Sequence, residues 1–400
     1  MIENRRRAGG LVAAAMLLAT PAFAQTKTTN QGITATEIVV GTHQDLSGPL
    51  KTAGVPIANG LKLAAEEINA SGGIHGRKIR LVIEDSGYDP KRALLATQKM
   101  IERDKIFSLI GALGSPTVMA GQDILLDAGI TQLFPGTAAE FTYMFDPAKP
   151  QERLKFNNLL PYVESTRAAM KYMVETFKPQ KPCIMYQDDE YGKNVLEGFE
   201  KQLAAMNLKP ATITSYKRGA ADFSSQISKM KADGCDLVML GTVIRETVGA
   251  MIEVKKNGWD NAKFLASAAA NFPDVHVLGK DAVEGLYAAA AFEVPYEDTA
   301  NGRVKDWITA YKKAFGSDAN TQAVIGYNAM MTFAHYAKLA GKDLTGQKLL
   351  DALESGDVYQ DIFGSAPTKF SKTNHLASTV TQVQKIENGR WVVVKGGLVF

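Results

Sequence analysis

The stretch from residue 105 to residue 145, KIFSLIGALGSPTVMAGQDILLDAGITQLFPGTAAEFTYMF, decides the fold. Two short apolar runs, 106–110 and 131–134, are typical of buried strands. Each run ends at a glycine-containing turn that carries a hydroxyl side chain, and a helical pattern begins near Ser115 between them. In a parallel α/β sheet such turns lie at the carboxyl ends of the strands, where ligands bind.

The hydroxyl groups of these turns are the first candidates for a binding site. Ser115, Thr117 and Thr137 are predicted to hold a small anion, most simply a carboxylate. The start of the helix would add free backbone N–H groups and the positive end of the helix dipole. The alternative is that Ser115 and Thr137 only cap helices.

Strands and helices alternate along the chain in two similar rounds. Periodicity and capping signals predict these elements. The predicted strands of the two rounds are 37–41, 78–85, 106–110 and 131–134, then 183–187, 211–216, 236–241 and 264–266. The predicted helices are 55–70, 90–103 and 115–126, then 163–176, 190–206, 223–232 and 244–256. Such alternation predicts an α/β protein with two doubly wound parallel-sheet lobes.

The rest of the chain adds a few further elements. A strand over 284–292, helices over 301–315 and 321–339, and a helix containing 349–353 come next. Two tail strands, 379–386 and 391–394, are joined by Asn388-Gly389, a hairpin turn signal.

The amino terminus has the features of an export signal. Three arginines precede a short apolar run, and small residues follow it, so residues 1–24 are predicted to be a cleaved signal peptide.

A formal net charge of +3 gives no case for a nucleic-acid partner. Cys183 and Cys235 begin two predicted strands; buried thiols are favoured, and a disulfide requires those strands to be neighbours.

Motifs for catalysis or for a resident metal are absent from the sequence. The five histidines are scattered without metal-ligand spacing, and no phosphate-binding loop or nucleophile elbow occurs. We therefore expect neither enzymatic activity nor a cofactor or metal. The acidic triplet 188–190 is consistent with a helix start or, alternatively, with a cation site.

Several short motifs, in their order and spacing, resemble a known family over nearly all of the predicted mature chain. They are LSGP at 46–49, EINASGGIHGR at 67–77, DPK at 89–91, IG at 110–111, PGT at 135–137, DEYG at 189–192 and DFS at 222–224. The chain is similar to the type I periplasmic solute-binding proteins of the leucine/isoleucine/valine-binding family, which serve ABC importers.

The resemblance implies two lobes whose chain crosses the hinge three times and which close around a small ligand. We place lobe one at 26–156 and 288–362, and lobe two at 157–287 and 363–400. It further implies a periplasmic monomer without a cofactor, whose partners are a small-molecule carboxylate or amino acid and the ABC permease subunits of the inner membrane.

Site residues are carried over from the family by position. Ser115 resembles the serine that binds the ligand carboxylate, and Gly136 with Thr137 resembles a second carboxylate-binding turn. Tyr191 resembles the lobe-two tyrosine that covers the ligand; alternatively, it packs on its own lobe. Gln44, after the first strand, completes the lobe-one set.

The chain also departs from the family's amino-acid binders. The stretch 266–271 carries Ser267 but no acid for a ligand ammonium, and Ala53 stands where a tyrosine is expected. Arg245 is predicted either to clamp a carboxylate or to pair with Glu246 on the surface. A separate alternative is that Glu246 substitutes for the missing acid. We therefore expect an aromatic or aliphatic acid that needs no α-amino group; branched-chain amino acid binding and a sensor role are the alternatives.

Overall fold

Two β-sheets with flanking helices organise residues 26–400, the part of the chain that this computed structural model describes. The predicted signal peptide, residues 1–24, lies outside the described residues. In the described part, no helix is both long enough and apolar enough to cross a bilayer. Among the same residues, no three potential metal ligands lie close enough together to hold an ion.

The first sheet is entirely parallel and has the order β2-β1-β3-β4-β5. Its strands are β1 (Glu37–Gln44), β2 (Lys78–Asp85), β3 (Ser108–Ile110), β4 (Thr131–Leu133) and β5 (Lys155–Phe156). The helices between them are α1 (Lys51–Ala70), α2 (Pro90–Glu102) and α3 (Ser115–Asp127). The side chain of Asp89 caps α2 by accepting from the backbone N–H of Arg92 at 2.9 Å, as the Asp-Pro signal predicts.

The second sheet repeats this strand order as β7-β6-β8-β9-β10. Its parallel strands are β6 (Pro182–Gln187), β7 (Thr212–Tyr216), β8 (Leu237–Gly241), β9 (Lys263–Ala266) and β10 (Tyr287–Ala290). The helices around it are α4 (Tyr162–Phe177), α5 (Glu190–Ala205), α6 (Ser224–Ala232), α7 (Ile244–Lys256) and α8 (Pro273–Gly279). The repeated order confirms the two doubly wound lobes.

The carboxyl-terminal part returns to the first lobe and then to the second. It contains α9 (Gly302–Phe315), α10 (Thr321–Leu339), α11 (Gly346–Leu353) and the small antiparallel pair β11 (Ser355–Tyr359) and β12 (Thr368–Ser371). The chain ends with the hairpin β13 (Thr381–Glu387) and β14 (Arg390–Leu398), which extends the second sheet in antiparallel fashion beside β10. Asn388 and Gly389 both have positive φ, as the turn signal requires.

Two hinge crossings come later in the chain than the predicted boundaries at 287/288 and 362/363. The whole of β10 pairs with β13, and its first two residues also pair with β9, so lobe two continues to Ala290. Phe370 of β12 stacks on Phe134 and contacts Phe156, which keeps lobe one together to about the bridge between Asn157 and Leu376. Long-range strand pairing sets these boundaries, and no local sequence signal marks them.

The expectation of two buried thiols is wrong, because a disulfide joins Cys183 and Cys235 with a Cα–Cα distance of 5.9 Å. Cys183 lies in β6, and Cys235 comes two residues before β8. These strands are neighbours in the second sheet, which brings the two cysteines together.

Close packing of α1 on α10 fixes one wall of the space between the lobes. A side chain at Gly60 would collide with the carbonyl oxygen of Ala323, and one at Gly326 would collide with that of Ile57. Glycine therefore allows the two backbones to approach and sets the first turn of α10 against Ile57.

Candidate ligand-binding site

A cavity lies between the two lobes and beside the hinge. Its empty volume is about 900 Å³, part of which opens to solvent. Lobe one contributes Leu50, Ile57 and Leu113, lobe two contributes Val243, Ile244 and Phe272, and the hinge segments contribute Leu159, Leu160 and Phe292. Among the described residues that line the cavity, none is an Asp, Glu, Lys, Arg or His. The cavity therefore suits a small, mainly apolar molecule.

Ser115 and Thr137 meet at the lobe-one edge of the cavity. Their Oγ and Oγ1 atoms are 2.5 Å apart, and both side chains are buried. The strands that precede them, β3 and β4, are parallel neighbours, so their carboxyl ends place the two turns side by side. Ser115 lines the cavity, while Thr137 lies directly behind it and hydrogen bonds to Ser115.

The start of α3 adds backbone donors at the same place. Its N-cap residue, Gly114, has φ +95° and provides no side-chain cap, so the first N–H groups of the helix are left to other partners. A side chain at Gly114 would approach the ring of Tyr88 and the hydroxyl of Thr117. Glycine is required here because of both the positive φ and the lack of space.

Gly136 lines the cavity at the second turn. It forms a parallel bridge with Leu113, and its N–H donates to the carbonyl oxygen of Ala112 at 2.8 Å. An added Cβ would lie 3.3 Å from Leu113 Cδ1 and 3.4 Å from Ile57 Cδ1. Its absence therefore leaves room at the apolar wall beside the hydroxyl pair.

Tyr191 lines the cavity from lobe two with its ring. Its hydroxyl donates to the carbonyl oxygen of Thr242 at 2.9 Å and lies 2.6 Å from Ser267 Oγ. Burial raises the pKa of Tyr191 well above its ordinary value, so this hydroxyl stays protonated. Tyr191 and Ser267 are thus brought together, but they bond to each other and to their own lobe.

Two further tyrosines, which the sequence did not lead us to expect in the site, also line the cavity. The Tyr162 ring packs edge-on against Tyr191 with centroids 5.0 Å apart. Tyr88 follows β2, and its hydroxyl accepts from Gln187 Nε2 of lobe two at 3.1 Å. The sequence does contain a signal that could have identified Tyr88 as a site residue: it lies in the turn after a predicted strand, just before the Asp-Pro helix start. Tyr162 follows the first hinge crossing and has no comparable local signal.

The structure places Thr117 and Gln44 outside the cavity lining. The Thr117 hydroxyl donates back to the carbonyl oxygens of Leu113 and Gly114, so it caps its own turn. The Gln44 side chain is fully buried, and its Nε2 donates to Thr42 Oγ1 and to the carbonyl oxygen of Gly111, each at 2.7 Å. Both residues support the strand ends on which the site is built.

Arg245 and Glu246 also lie outside the lining. The Arg245 side chain is 53% exposed, and its guanidinium lies 3.7 Å from the Glu246 carboxylate, whose side chain is 2% exposed. Pairing between these two residues is therefore the arrangement that the structure adopts. Burial raises the pKa of Glu246, and the nearby positive charge of Arg245 opposes this effect.

Hydrogen bonds across the gap hold the lobes against each other. Besides the bond between Tyr88 and Gln187, the backbone N–H of Glu140 in lobe one donates to Asn194 Oδ1 in lobe two at 2.9 Å. Arg218 of lobe two lies over the Tyr88 ring, with its Cζ 5.3 Å from the centroid. These contacts enclose the cavity, as in a closed conformation.

Two doubly wound lobes, three hinge crossings and a cavity between the lobes form an architecture that can hold a small ligand between the lobes. The family model described as "Periplasmic binding protein" matches residues 37–390, and the chain belongs to this family. Type I members of the family are the periplasmic binding components of ABC transporters; they bind small ligands and work with permeases. The relatives are binding proteins and not enzymes.

Over the aligned residues, curated relatives are about a quarter identical to the chain. The leucine-specific-binding protein of Salmonella typhimurium is 27% identical over 71% of this chain and 75% of its own length. An amino acid binding protein of Pseudomonas aeruginosa is 25% identical over 58% of this chain. The chain spans 60% of the length of that relative.

Solved structures support the same fold. A fatty acid ABC transporter substrate-binding protein from Thermomonospora curvata superposes with a TM-score of 0.82 at 22% identity, covering 94% of this chain and 95% of the other. A solute-binding protein of an ABC transporter from R. palustris, in complex with benzoate, superposes with a TM-score of 0.79 at 19% identity, covering 91% and 97%. Identities this low establish the two-lobed architecture and leave the ligand of this chain open.

Proposed function

We propose that this protein captures a small carboxylic acid, aromatic or aliphatic, for an ABC importer, and that the ligand needs no α-amino group. Ser115, with Thr137 behind it and Gly136 beside it, receives the carboxylate at the start of α3. The rings of Tyr88, Tyr162 and Tyr191 surround the apolar part of the ligand.

The observation that carries this proposal is the neutral lining of the cavity, together with the hydroxyl pair at one edge. A carboxylate is well served by hydroxyl and backbone N–H donors at a helix start, without a positively charged side chain. The ammonium group of an amino acid would have no acidic residue among the described lining residues, and burying an unpaired charge is costly.

Closure of the lobes follows from the way the site is divided between them. The carboxylate-binding donors belong to lobe one, while Tyr191, Val243 and Ile244 cover the site from lobe two. A ligand that touches both walls makes more contacts in the closed state than in the open one, and it therefore favours the closed state. The permease subunits would then recognise the closed form.

The identity of the ligand is tested by two measurements on the purified mature protein. Mass spectrometry of small molecules released on denaturation is expected to find a carboxylic acid. Titration calorimetry of the ligand-free, refolded protein is then expected to give tighter binding of benzoate or cinnamate than of leucine. Methyl benzoate, which has the same ring but no negative charge, is the control and should bind at least tenfold more weakly than benzoate. Tight binding of leucine without binding of any of these acids would overturn the proposal.

Branched-chain amino acid binding is the second candidate, and the name of the Salmonella typhimurium relative favours it. One oxygen of the Glu246 carboxylate, Oε2, has no hydrogen-bond partner among the described residues and could accept from an ammonium group. Because Glu246 does not line the cavity, α7 would have to move to bring it there. Glu246→Gln separates the candidates: it should abolish leucine binding in the second case and leave benzoate binding unchanged in the first.

Export and partnership belong to the same proposal. We expect a mature chain that begins at Gln25, which intact mass measurement of periplasmic protein checks, and a monomer by light scattering. The alternative is a sensor that reports the ligand to a membrane receptor. Measuring ATP hydrolysis by the reconstituted permease distinguishes the two roles: an importer component should stimulate the hydrolysis, and a sensor should not.

A further inference from the structure

Two buried oxygen atoms in the cavity wall have no hydrogen-bond partner and take no part in the site described above. Thr321 and Gln322 are the first two residues of α10, and both line the cavity. Their side chains are 6% and 0% exposed. Within the described part of the chain, Thr321 Oγ1 and Gln322 Oε1 lack any partner, whereas Gln322 Nε2 donates to Asp274 Oδ2 at 3.4 Å.

Unpaired buried polar atoms of this kind are unfavourable in a folded protein. Leaving such a group without a partner costs free energy, and most buried polar atoms are therefore paired. Here two of them occur on adjacent residues, in the wall of a cavity built to receive a ligand. A hydrogen-bonding group on the ligand would remove the cost at both atoms.

Ile57 contacts both the turn that precedes Thr137 and the helix that carries Thr321 and Gln322. The tip of the Ile57 side chain approaches Gly136, next to Thr137. The carbonyl oxygen of Ile57 contacts α10 at Gly326, one turn after Gln322. A ligand that reaches both segments along Ile57 would carry a polar group at each end.

The chemistry of the two atoms selects the group. Gln322 Oε1 can only accept a hydrogen bond, and Thr321 Oγ1 can donate or accept. A neutral hydroxyl satisfies both, since it donates to Gln322 and accepts from Thr321. A second carboxylate would place its oxygens against the Gln322 oxygen and near the Asp274 carboxyl, which disfavours it.

We propose that Thr321 and Gln322 form a second polar subsite that binds a hydroxyl group at the end of the ligand opposite its carboxylate. This inference rests on the proposed function, because it takes the carboxylate at Ser115 as the other anchor. It narrows the ligand class to hydroxylated carboxylic acids.

Titration calorimetry with two matched pairs of acids tests the subsite on the full mature chain. The pairs are benzoate with 4-hydroxybenzoate and cinnamate with 4-hydroxycinnamate, which differ in length and, within each pair, only in the hydroxyl. The hydroxylated member should bind at least about tenfold more tightly in one pair or both, because its absence leaves buried groups unpaired. Terephthalate, which carries a second carboxylate, should bind more weakly than 4-hydroxybenzoate.

Substitutions locate the preference in the two residues. Thr321→Val and Gln322→Met keep the side-chain volume and remove the polar atoms. In the pair of acids for which the wild-type protein prefers the hydroxylated member, each variant should bring the ratio of the two affinities close to one. The affinity for the unhydroxylated acid should change less than about threefold. Ser115→Ala, in contrast, should weaken both members of a pair by the same factor.

The chain offers matched controls for these variants. Thr166 in α4 and Gln202 in α5 are also buried and also carry an unpartnered side-chain oxygen, but neither lines the cavity. Thr166→Val and Gln202→Met should therefore leave the ratio unchanged.

The outcomes separate the subsite from the proposed function. Equal affinities within both pairs in the wild-type protein, or tighter binding of terephthalate, would overturn the subsite while the carboxylate site stands. Absence of binding by every acid would overturn the proposed function itself. The wild-type comparison needs no variant, so a folding defect in Gln322→Met would leave the test intact.

Discussion

The first turns of α3 in lobe one and α5 in lobe two both border the cavity, but they treat negative charge in opposite ways. The N-cap of α3 is Gly114, which offers no side-chain cap. The N-cap of α5 is Asp189, whose carboxylate accepts from the N–H groups of Tyr191 and Gly192. Lobe two therefore supplies its own anion to its helix start, while lobe one leaves that place open.

This difference bears on which lobe holds the carboxylate in the proposed function. In the proposed function a ligand carboxylate would meet open donors at the α3 start, whereas Asp189 already accepts from the backbone at the α5 start. The lobes also differ in covalent support, since both cysteines of the chain lie in lobe two and are joined there. In the proposed function, lobe one thus recognises the acid and lobe two covers it.

Making the α3 start resemble the α5 start should have the largest effect. Ser115→Asp would place a carboxylate on the free N–H groups of α3 and repel a ligand carboxylate. We expect binding of benzoate to fall by more than about a hundredfold, to a level that calorimetry does not detect. Ser115→Asn, which has the same shape without the charge, should lose only about tenfold; equal losses in the two variants would contradict the comparison.

Removing the disulfide should destabilise lobe two without changing recognition by lobe one. The double variant Cys183→Ala/Cys235→Ala opens a link between residues 52 positions apart. The free energy of unfolding in urea should fall by about 2–4 kcal/mol, because the unfolded chain gains freedom. Reduction of the wild-type protein should reproduce the loss, and the dissociation constant for benzoate at 25 °C should stay within about twofold. A larger loss of affinity would mean that the lobes are not independent in this way.

The lobe-one half of the site could be predicted from sequence because the signals are local. A short apolar run, a glycine turn and a helix start place Ser115 at a strand end, and parallel pairing of β3 and β4 places Thr137 next to it. The direction of the Thr117 hydroxyl could not be predicted in the same way. It depends on competition between a ligand and the carbonyl oxygens of its own turn.

The rest of the site depends on contacts between residues far apart in the chain. Gln322 reaches the cavity only because α10 packs on α1, and Tyr162 reaches it only because the chain crosses to lobe two just before it. The extent of β10 likewise follows from its two neighbouring strands and not from its alanine-rich sequence. Periodicity and capping signals carry no information on such pairings.

Asp85, the last residue of β2, and Asp189, which follows β6, offer a pH test of the difference between the lobes. Burial alone would raise the pKa of Asp85, but hydrogen bonds from Ser47, from the N–H groups of Leu46 and Gly87, and from Arg92 lower it to about 2. Asp85 therefore stabilises the fold fully above its ordinary pKa, and this contribution is lost as the pH falls through the folded pKa of about 2. Asp85→Asn should lower the free energy of unfolding by about 1–2 kcal/mol at pH 7 and by progressively less as the pH falls to 2 and below, as measured by urea unfolding at each pH.

Asp189→Asn provides the matched variant with the opposite sign. Burial raises the pKa of Asp189, against the hydrogen bonds from Gly192 and Gln187. Folding thus favours the protonated form, and the wild type should lose stability relative to the Asn variant as the pH rises from the ordinary pKa through the raised one. A pH dependence of the same sign for both variants would remove the electrostatic contrast between the lobes.

The smallest expected effect concerns the cap of α5 itself. Asp189→Ala removes the side chain that accepts from Tyr191 and Gly192, and its unfolding free energy should fall by about 1 kcal/mol relative to Asp189→Asn, which still caps the helix. Benzoate affinity, measured by calorimetry, should differ between these two uncharged variants by less than about twofold, because the carboxylate is held at Ser115. If loss of this cap instead weakened binding tenfold, the α5 start would itself be part of the anion site, and the division of labour between the lobes would have to be redrawn.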